Sequence, residues 1–249
     1  MRLDQVSVIV TTKNEEANLP RCLESARGFG ETVVVDSFSG DETVAVARRH
    51  GAVVFQRPYT SPPDQKNWAA ARARNDWVLV LDADESLDPA LLREVEALDP
   101  GEHAGFWIRR RSNYMGRRIR GCGWQRDQVL RLYDRRRGHY PDALVHEEVA
   151  LRGPAARLHG ALGHTPYRDV AHHLEKIDEY TTRGARQIVA RGGGWPVLPM
   201  CLRPAFRFFR MYVLQVGFVD GYPGLVLCLL SAYSVFLKYA KVWELKRSK

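Results

Sequence analysis

The sequence has 249 residues, of which 45% are hydrophobic, and its formal net charge is +8. This composition indicates a globular protein with a sizeable core, either one large domain or a core domain with an appendage. The charge is concentrated, because residues 105–140 hold eleven arginines against Asp127 and Asp134 and so contribute +9. The rest of the chain is nearly neutral, and the basic stretch indicates an anionic partner such as phosphate, nucleic acid or a lipid surface.

The cysteine spacing argues against both a disulfide framework and a zinc site. The sequence has no C-x-x-C pair and no ligand cluster among its four cysteines, Cys22, Cys122, Cys201 and Cys228. This spacing indicates free thiols in a reducing compartment. No signal-peptide pattern precedes the first predicted strand, so we expect a cytoplasmic protein.

The first hundred residues alternate predicted strands and helices. Apolar runs at residues 6–10, 32–35, 52–55 and 77–81 predict four strands. Helices are predicted in "EEANLPRCLESARGF", after "SGDE", where Ser39 and Glu42 have capping-box spacing, at residues 65–73, and from Asp88-Pro89. This alternation predicts an α/β fold, with a mostly parallel sheet covered by helices on both faces.

The fourth strand ends in acidic residues, within "DWVLVLDADESLDP". On an extended chain residues i and i+2 point the same way, so Asp82 and Asp84 would be aimed at one spot and would need a positive charge between them. Ligands of such sheets bind beyond the carboxyl ends of the strands, where Thr11, Thr12 and Asp36 also lie. The alternative is a solvated strand end that only caps the next helix.

A divalent metal is the positive charge that we expect between Asp82 and Asp84. The sequence contains neither a P-loop pattern nor G-x-G-x-x-G, so the usual glycine-rich phosphate loops are absent. Asp82 and Asp84 supply the hard oxygen ligands that Mg²⁺ or Mn²⁺ takes while it also holds substrate phosphates.

The periodicity changes after residue 104. "GFWIRRR", "QVLRLY" and "ALVHEEVAL" predict short strands that extend the sheet in antiparallel fashion, and "HHLEKIDEYTTRGARQIVAR" predicts a long helix. His164, His172 and His173 match no ligand spacing and are interpreted as structural.

The C-terminal segment is predicted to lie on a membrane. Residues 211–237 are apolar apart from Gln215 and Asp220, but the uncharged part, residues 221–237, is marginal for a membrane span. Basic residues flank it on both sides, which does not favour leaving one flank outside. We expect two amphipathic helices, bent at "DGYPG", in the cytoplasmic interface from about residue 203. Alternatively, these helices simply pack on the core.

Three segments together carry a family resemblance. "VSVIVTTKNEEANLPRCLESA", "VVVDSFSGDET" and "DQKNWAAARARNDWVLVLDADE" resemble, in order and spacing, the nucleotide-sugar domain of family 2 inverting glycosyltransferases. With "QVLRLYDRRRGHYPDALVHEEV" and "GFVDGYPGLVLCLLSAYSVFLKYAKVWE", the chain is similar to bacterial lipopolysaccharide core glycosyltransferases of the β-1,4-glucosyltransferase kind. The resemblance implies a GT-A fold, a Rossmann-like α/β/α sandwich, and a nucleotide-sugar donor such as a UDP-hexose.

The resemblance also implies roles for individual residues. Asp36 would hold the uracil or ribose side of the donor, although Ser37 stands where many relatives have a second aspartate. Asp82 and Asp84 would carry the metal. Other residues expected at the donor are Thr11, Asn14, Glu15, Lys66 and Arg72, of which Lys66 could equally belong to a solvated helix face.

Inverting transfer requires a general base that takes the proton of the acceptor hydroxyl. The family pattern places a His-Glu pair in "VHEE", which implies Glu147 as the base and His146 as an orienting neighbour; an exposed strand face is the alternative. Arg131, inside an apolar strand, is expected to pair with the nucleotide phosphates or with Asp127.

The expected organisation is a nucleotide-sugar half at residues 1–100, an acceptor half at residues 101–170 and a helical region at residues 171–249. The expected acceptor is a membrane-borne lipopolysaccharide core or similar anionic glycolipid at the cytoplasmic face of the inner membrane. Two alternatives remain: a polyprenyl-phosphate glycosyltransferase, and a non-catalytic binder of nucleic acid or anionic surfaces. The non-catalytic alternative leaves the strand-end carboxylates unexplained. In addition, the aromatic residues of the sequence do not interleave with the basic ones, as a platform for base stacking would require.

Overall fold

A computed structural model describes residues 1–141, 148–192 and 196–247. The chain divides into two compact units. Unit 1 comprises Met1–Arg110 and Asp127–His164, and unit 2 comprises Arg111–Arg126 and Thr165–Lys249.

The first half of unit 1 is a parallel sheet with connecting helices. Strand β1 lies between β2 and β4, and β3 pairs with the other side of β2, all in parallel register. Each connection crosses over through a helix, which is the arrangement that parallel strands require. The strands are β1 (Val6–Thr12), β2 (Glu31–Asp36), β3 (Val53–Gln56) and β4 (Trp77–Asp82), and the helices are α1 (Leu19–Ser25), α2 (Thr43–Arg49) and α3 (Pro62–Ala70).

The second half of unit 1 continues the sheet with antiparallel strands. The order of the described strands is β3-β2-β1-β4-β8-β6-β11-β5, and a separate small sheet joins β9 to β10. The parallel half agrees with the sequence prediction, and β6 and β8 agree with the predicted antiparallel extension. The third predicted strand, in "ALVHEEVAL", is not found in the main sheet, because residues 142–147 lie outside the described residues and Ala150–Leu151 pair with β9 in the small sheet. The further elements are β5 (Glu85–Leu87), α4 (Pro89–Glu96), β6 (Gly105–Tyr114), β8 (Gln128–Asp134), β9 (Gly138–His139), β10 (Ala150–Leu151) and β11 (Ala155–His164).

Apolar side chains cover both faces of this sheet. Leu79 and Leu81 of β4 belong to one buried cluster, whereas Val78 and Val80 belong to another, as the alternation of side chains along a strand requires. The first cluster includes residues of α1, α2 and α4, and the second includes Ala69 of α3. The result is the expected α/β/α sandwich of the GT-A type.

Two local predictions need correction. Helix α3 begins at Pro62 instead of residue 65, because Ser61 caps it by accepting the Asp64 amide and two prolines suit its first turn. Ser39 caps no helix, because α2 begins only at Thr43 and the Ser39 Oγ accepts the backbone amide of Asn14 while its hydroxyl donates to Asp36. By contrast, Asp88 caps α4 as predicted and accepts the Leu91 amide at 2.7 Å.

Unit 2 is mainly helical. It contains the short strand β7, paired with the end of β6 across a turn in which Met115 and Gly116 both have positive φ, a type I′ geometry. The predicted long helix is α5, capped by Asp169. The elements are β7 (Arg117–Arg118), α5 (Val170–Ala190), α6 (Val197–Phe209), a π-helical turn (Arg210–Leu214), a 3-10 turn (Gly217–Asp220) and α7 (Gly221–Arg247).

The break between α6 and α7 falls at the predicted bend and is held by Asp220. Both oxygens of this buried carboxylate accept backbone amides, from Arg120 and Gly121, each at 2.7 Å. A Cβ on Gly121 would collide with the Val216 carbonyl, so the approach requires glycine there. The same carboxylate therefore lies at the end of one helical segment and fixes the backbone that directly follows β7.

We expect Gly160→Ala to destabilise unit 1. A Cβ on Gly160 of β11 would overlap the backbone of Leu91 in α4, and neither element can yield without opening the core. The free energy of unfolding should fall by about 1–3 kcal/mol, the usual cost of overpacking. Denaturant unfolding of the full chain in detergent measures this, and Gly40→Ala, with open space around its Cβ, is the matched control. Equal effects of the two substitutions would contradict the packing argument.

Candidate active site at the carboxyl ends of the central strands

Three of the predicted site residues end neighbouring strands at the same level. In the parallel register Thr11 of β1 lies opposite Asp82 of β4, and Thr12 lies opposite Asp36 of β2. Topology alone produces this alignment, because the carboxyl ends of parallel strands meet at one edge of the sheet.

Asp82 is held by two buried cations. Its Oδ1 lies 3.2 Å from Nζ of Lys66, and Nη2 of Arg131 donates a hydrogen bond to its Oδ2. Lys66 comes from the inner face of α3 and Arg131 from β8, the strand next to β4. The solvated-face alternative for Lys66 is excluded, since only 2% of the residue is exposed.

Glu85 completes this arrangement and was not assigned a role from the sequence. It is fully buried, and its Oε1 accepts from Arg131 at 3.0 Å and from Arg110 at 3.3 Å. Its Oε2 accepts the Asp82 amide at 3.0 Å. The expected pairing of Arg131 with Asp127 is not observed. Asp127 pairs with Arg110 instead, with 2.8 Å between Oδ2 and Nη2, and Arg131 bridges Asp82 and Glu85.

These contacts set the ionisation of the network. Burial by itself would raise the pKa of Asp82, but the charges of Arg131 and Lys66 outweigh it and hold that pKa well below its usual range. Burial by itself would lower the pKa of Arg131, and the charges of Asp82 and Glu85 raise it well above its usual value. Both groups are therefore charged at neutral pH.

Asp84 has different neighbours from Asp82. The extended backbone stops at Asp82 and residues 83–84 form a turn, so the two carboxylates do not share a strand face as the sequence prediction assumed. Oδ2 of Asp84 lies 3.7 Å from Nε2 of His164, and both side chains are largely buried. His164 ends β11, opposite Glu85 of β5.

His164 is thus a site residue that sequence reasoning missed. Eighty positions separate it from Asp84, and only the pairing of β11 with β5 brings the two together. Within the described ranges no group of three or more His, Cys, Asp or Glu side chains could enclose a metal. The Asp84–His164 pair nevertheless fits a divalent ion that takes its other ligands from substrate phosphates and water, as Mg²⁺ commonly does.

Asp36 organises the loops around the strand ends. Its carboxylate is fully buried and accepts from the Ser39 hydroxyl and from the Ser39 amide at 2.9 Å. It also accepts from the Gln56 side chain at 3.0 Å. Asn14 in turn donates its amide to Ser39 Oγ at 2.8 Å and accepts the Gly40 amide at 2.8 Å. Ser39 therefore joins the loop after β1 to the loop after β2.

Glu15 and Arg72 take up separate positions. Glu15 begins the turn before α1, where its amide donates to Thr43 and its carboxylate accepts from Asn18. Arg72 stacks on Trp68 with its guanidinium 3.5 Å from the ring centroid. The same Trp68 ring is contacted by Phe55 of β3 and by Arg57, which follows the carboxyl end of that strand. The expected role of Arg72 at the donor diphosphate stays a prediction. His146 and Glu147 lie outside the described residues.

The chain belongs to a known enzyme family. A sequence model of Glycosyl transferase family 2 matches residues 7–150, more than half of the chain. The protein is therefore a family 2 glycosyltransferase, and the non-catalytic alternative is wrong.

Similar proteins extend the match along the chain. The chain is 29% identical to the lipopolysaccharide core biosynthesis glycosyltransferase LpsC of Rhizobium meliloti, with 96% of this chain and 92% of LpsC covered. It is 26% identical to an uncharacterized glycosyltransferase of Rickettsia typhi, with 98% and 88% covered. Among solved structures, residues 1–349 of S. aureus TarS in complex with UDP-GlcNAc align over 100% of this chain and 92% of that one, with a TM-score of 0.52 and 16% identity. That likeness shows the fold.

We expect Asp82→Asn to flatten the acid limb of the stability curve. A carboxyl whose pKa is depressed on folding contributes stability above its unfolded value, near pH 4, and loses it as the pH falls further. Between pH 5 and pH 3 the free energy of unfolding should fall less steeply in the variant than in the wild type. The two slopes should differ by at most about 1.4 kcal/mol per pH unit, because the variant lacks one titrating group. Denaturant titrations at several pH values measure this. Asp4→Asn is the control, because the ion pair of Asp4 with Arg2 is exposed, and identical slopes in all three proteins would contradict the assignment.

Proposed function

We propose that this protein transfers a hexose, with inversion at the anomeric carbon, from a nucleotide sugar to a glycolipid acceptor at a membrane surface. The observation that carries the proposal is the set of side-chain contacts at the strand ends, Asp82 with Lys66 and Arg131, and Asp84 with His164. Family membership supplies the reaction class. The donor, UDP-hexose for preference, follows from the sequence resemblance.

The buried cations position Asp82 and are not themselves phosphate ligands in this proposal. Lys66 and Arg131 have almost no exposed surface, whereas 34% of the Asp82 side chain is exposed. Held by two hydrogen-bonded charges, Asp82 keeps one orientation toward the donor and accepts from its hydroxyl groups. Thr11, Asn14, Glu15 and Asp36 shape the remainder of the donor site through the joined loops after β1 and β2.

Asp84 and His164 would hold a divalent ion, Mg²⁺ or Mn²⁺. When bound, the ion supplies positive charge to the donor diphosphate and to the leaving group. The two side chains offer a carboxylate, which suits either ion, and an imidazole, which as a nitrogen ligand favours Mn²⁺ over the harder Mg²⁺. Asp82 is committed to Lys66 and Arg131, which supports Asp84 as the principal carboxylate ligand of the two.

We expect nucleotide diphosphate to bind weakly without metal and to gain at least about tenfold in affinity with Mn²⁺, because no glycine-rich phosphate loop is present. Calorimetric titration of UDP with Mn²⁺ or chelator measures this. Asp84→Asn and His164→Ala should each remove most of the gain. His159→Gln is the control, since this exposed histidine of the same strand contacts Glu94. UDP binding that ignores chelator would refute the metal site.

The general base is assigned to Glu147, with His146 orienting the acceptor or a phosphate. This assignment rests on the family pattern in "VHEE" and is supported by what lies before the segment. Asn67, next to Lys66 on α3, holds Tyr140 by two hydrogen bonds of 2.7 and 2.9 Å, and Lys66 Nζ lies 5.4 Å from the Tyr140 ring centroid. Tyr140, which precedes the segment in sequence, is therefore anchored beside Lys66 of the strand-end site.

Glu147→Gln should lower turnover by about a hundredfold or more while UDP affinity stays unchanged, which is the usual result of losing a general base. Donor turnover and UDP titration on the same protein separate the two effects. Glu148→Gln, its exposed neighbour, is the matched control. If Glu148→Gln produces the loss instead, the base lies one position further along the chain.

The proposed acceptor is a lipopolysaccharide core or a similar anionic glycolipid. The full-length similarity to LpsC supports this choice over a polyprenyl phosphate acceptor. The C-terminal segment supports a membrane-borne acceptor. Within the described ranges, one helical segment, Gly217–Arg247, is long and apolar enough to cross a membrane, and only 22% of its most apolar stretch is buried.

We propose that this segment lies at the cytoplasmic face without crossing. Basic residues occur on both flanks, and cytoplasmic flanks are enriched in such residues. Asp220 remains within protein, bonded to two backbone amides, which avoids the cost of a charge in the bilayer.

A tag placed after the last residue should consequently resist external protease in spheroplasts, because both flanks would lie on the cytoplasmic side. A periplasmic tag on a known membrane protein serves as the positive control for cleavage. Cleavage of the C-terminal tag in intact spheroplasts would show that the segment crosses the membrane.

A further inference from the structure

Unit 2 contains a cavity in which three of the six lining residues are arginines. Its volume is about 410 Å³, within the range of ligand sites. Its walls are formed by β7 and the residues directly after it, by the 3-10 turn and by the first residue of α7. The residues lining it are Arg117, Arg118, Arg120, Val219, Asp220 and Gly221. The strand-end site of unit 1 shares none of these residues.

The walls of this arginine cavity are fixed by the fold. Asp220 holds the backbone of Arg120 and Gly121 through two hydrogen bonds of 2.7 Å. Ile119, between the arginines, is buried in a cluster with Met211 and Leu227. The guanidinium groups therefore extend from an ordered backbone and not from a free loop.

The lining of the cavity keeps a net positive charge, because it has three arginines against the single carboxylate of Asp220. Arg117, Arg118 and Arg120 are exposed, and the ion pairs of the described ranges include none of the three. The one carboxylate in the lining, Asp220, directs its oxygens to backbone amides. Helix α7 begins at Gly221, so the positive end of its dipole adds to the same field. Guanidinium groups match phosphate oxygens in a bidentate geometry, which makes phosphate the anion that fits.

The surroundings of the cavity are apolar and exposed. Phe218, Val219 and Tyr222 all have about half or more of their surface exposed, and the uncharged part of α7 follows directly. A free phosphate would gain nothing from these side chains. A phosphate attached to a lipid would place its charge on the arginines and its acyl chains beside the apolar residues.

We infer that the arginine cavity binds the phosphate of an anionic membrane lipid. The inference rests on the proposed contact of the C-terminal segment with a membrane, and it adds a specific headgroup site to that contact. It does not depend on the donor, the metal or the base.

Vesicle partitioning of the full chain tests the inference. Two vesicle types are compared, phosphatidylcholine alone and phosphatidylcholine with roughly one quarter phosphatidate, because anionic lipids attract basic residues near the membrane surface. The wild type should partition more strongly to the phosphatidate vesicles. The variant Arg117→Gln/Arg118→Gln/Arg120→Gln should lose about tenfold or more of that preference and keep its binding to neutral vesicles.

Two controls make the result specific. Arg48→Gln/Arg49→Gln removes adjacent exposed arginines from α2 of unit 1 and should leave the preference intact. Glycerol phosphate at millimolar concentration should not abolish vesicle binding, because it lacks the acyl chains.

Three outcomes overturn the inference: equal partitioning to both vesicle types, equal loss in the cavity variant and the Arg48/Arg49 control, or full displacement by glycerol phosphate. The last would assign the cavity to a soluble phosphate. UDP titration on the same proteins keeps this result separate from the proposed function. If the wild type does not bind UDP, the proposed function is refuted and the lipid inference is not.

Discussion

The guanidinium of Arg131 is the charge on which the strand-end site depends. It lies inside unit 1 and bridges Asp82, at the end of β4, to Glu85, in the short strand that follows. Without it, Glu85 would be a fully buried carboxylate that keeps the Asp82 amide but only Arg110 as a cationic partner among the described residues. Removing one partner of a buried ion pair typically costs about 3–5 kcal/mol. Because burying ions is itself costly, we attribute to this network the orientation of Asp82 and not a large net stability.

The network also explains how several acidic residues coexist at the edge of one sheet. Asp82, Glu85 and Asp127 are matched by Lys66, Arg110 and Arg131, so the described contacts balance in charge. Each cation comes from a different element: α3, β6 and β8. Asp84, outside this balanced set, faces His164, and this contact is the one that supports a metal-binding role.

Unit 2 also contains a buried carboxylate, and backbone groups stabilise it. Asp220 carries a buried negative charge, and two amides rather than a side-chain cation stabilise it. This choice leaves the neighbouring arginines available to solvent or to a ligand. The concentration of positive charge that the sequence shows in residues 105–140 is therefore divided. Arg110 and Arg131 form ion pairs with Glu85 inside unit 1. By contrast, the open cavity of unit 2 is lined by Arg117, Arg118 and Arg120.

The sequence by itself determined the strand–helix alternation, because hydrophobic periodicity and helix caps such as Asp88 are local properties. It also located Asp36, Asp82 and Asp84, since each follows an apolar strand. It could not determine which charges meet. Arg131 and Asp127 are four positions apart yet do not pair, while Asp84 and His164 meet across the sheet. Those pairings depend on strand order and on which side chains face inward, and only the tertiary structure decides both.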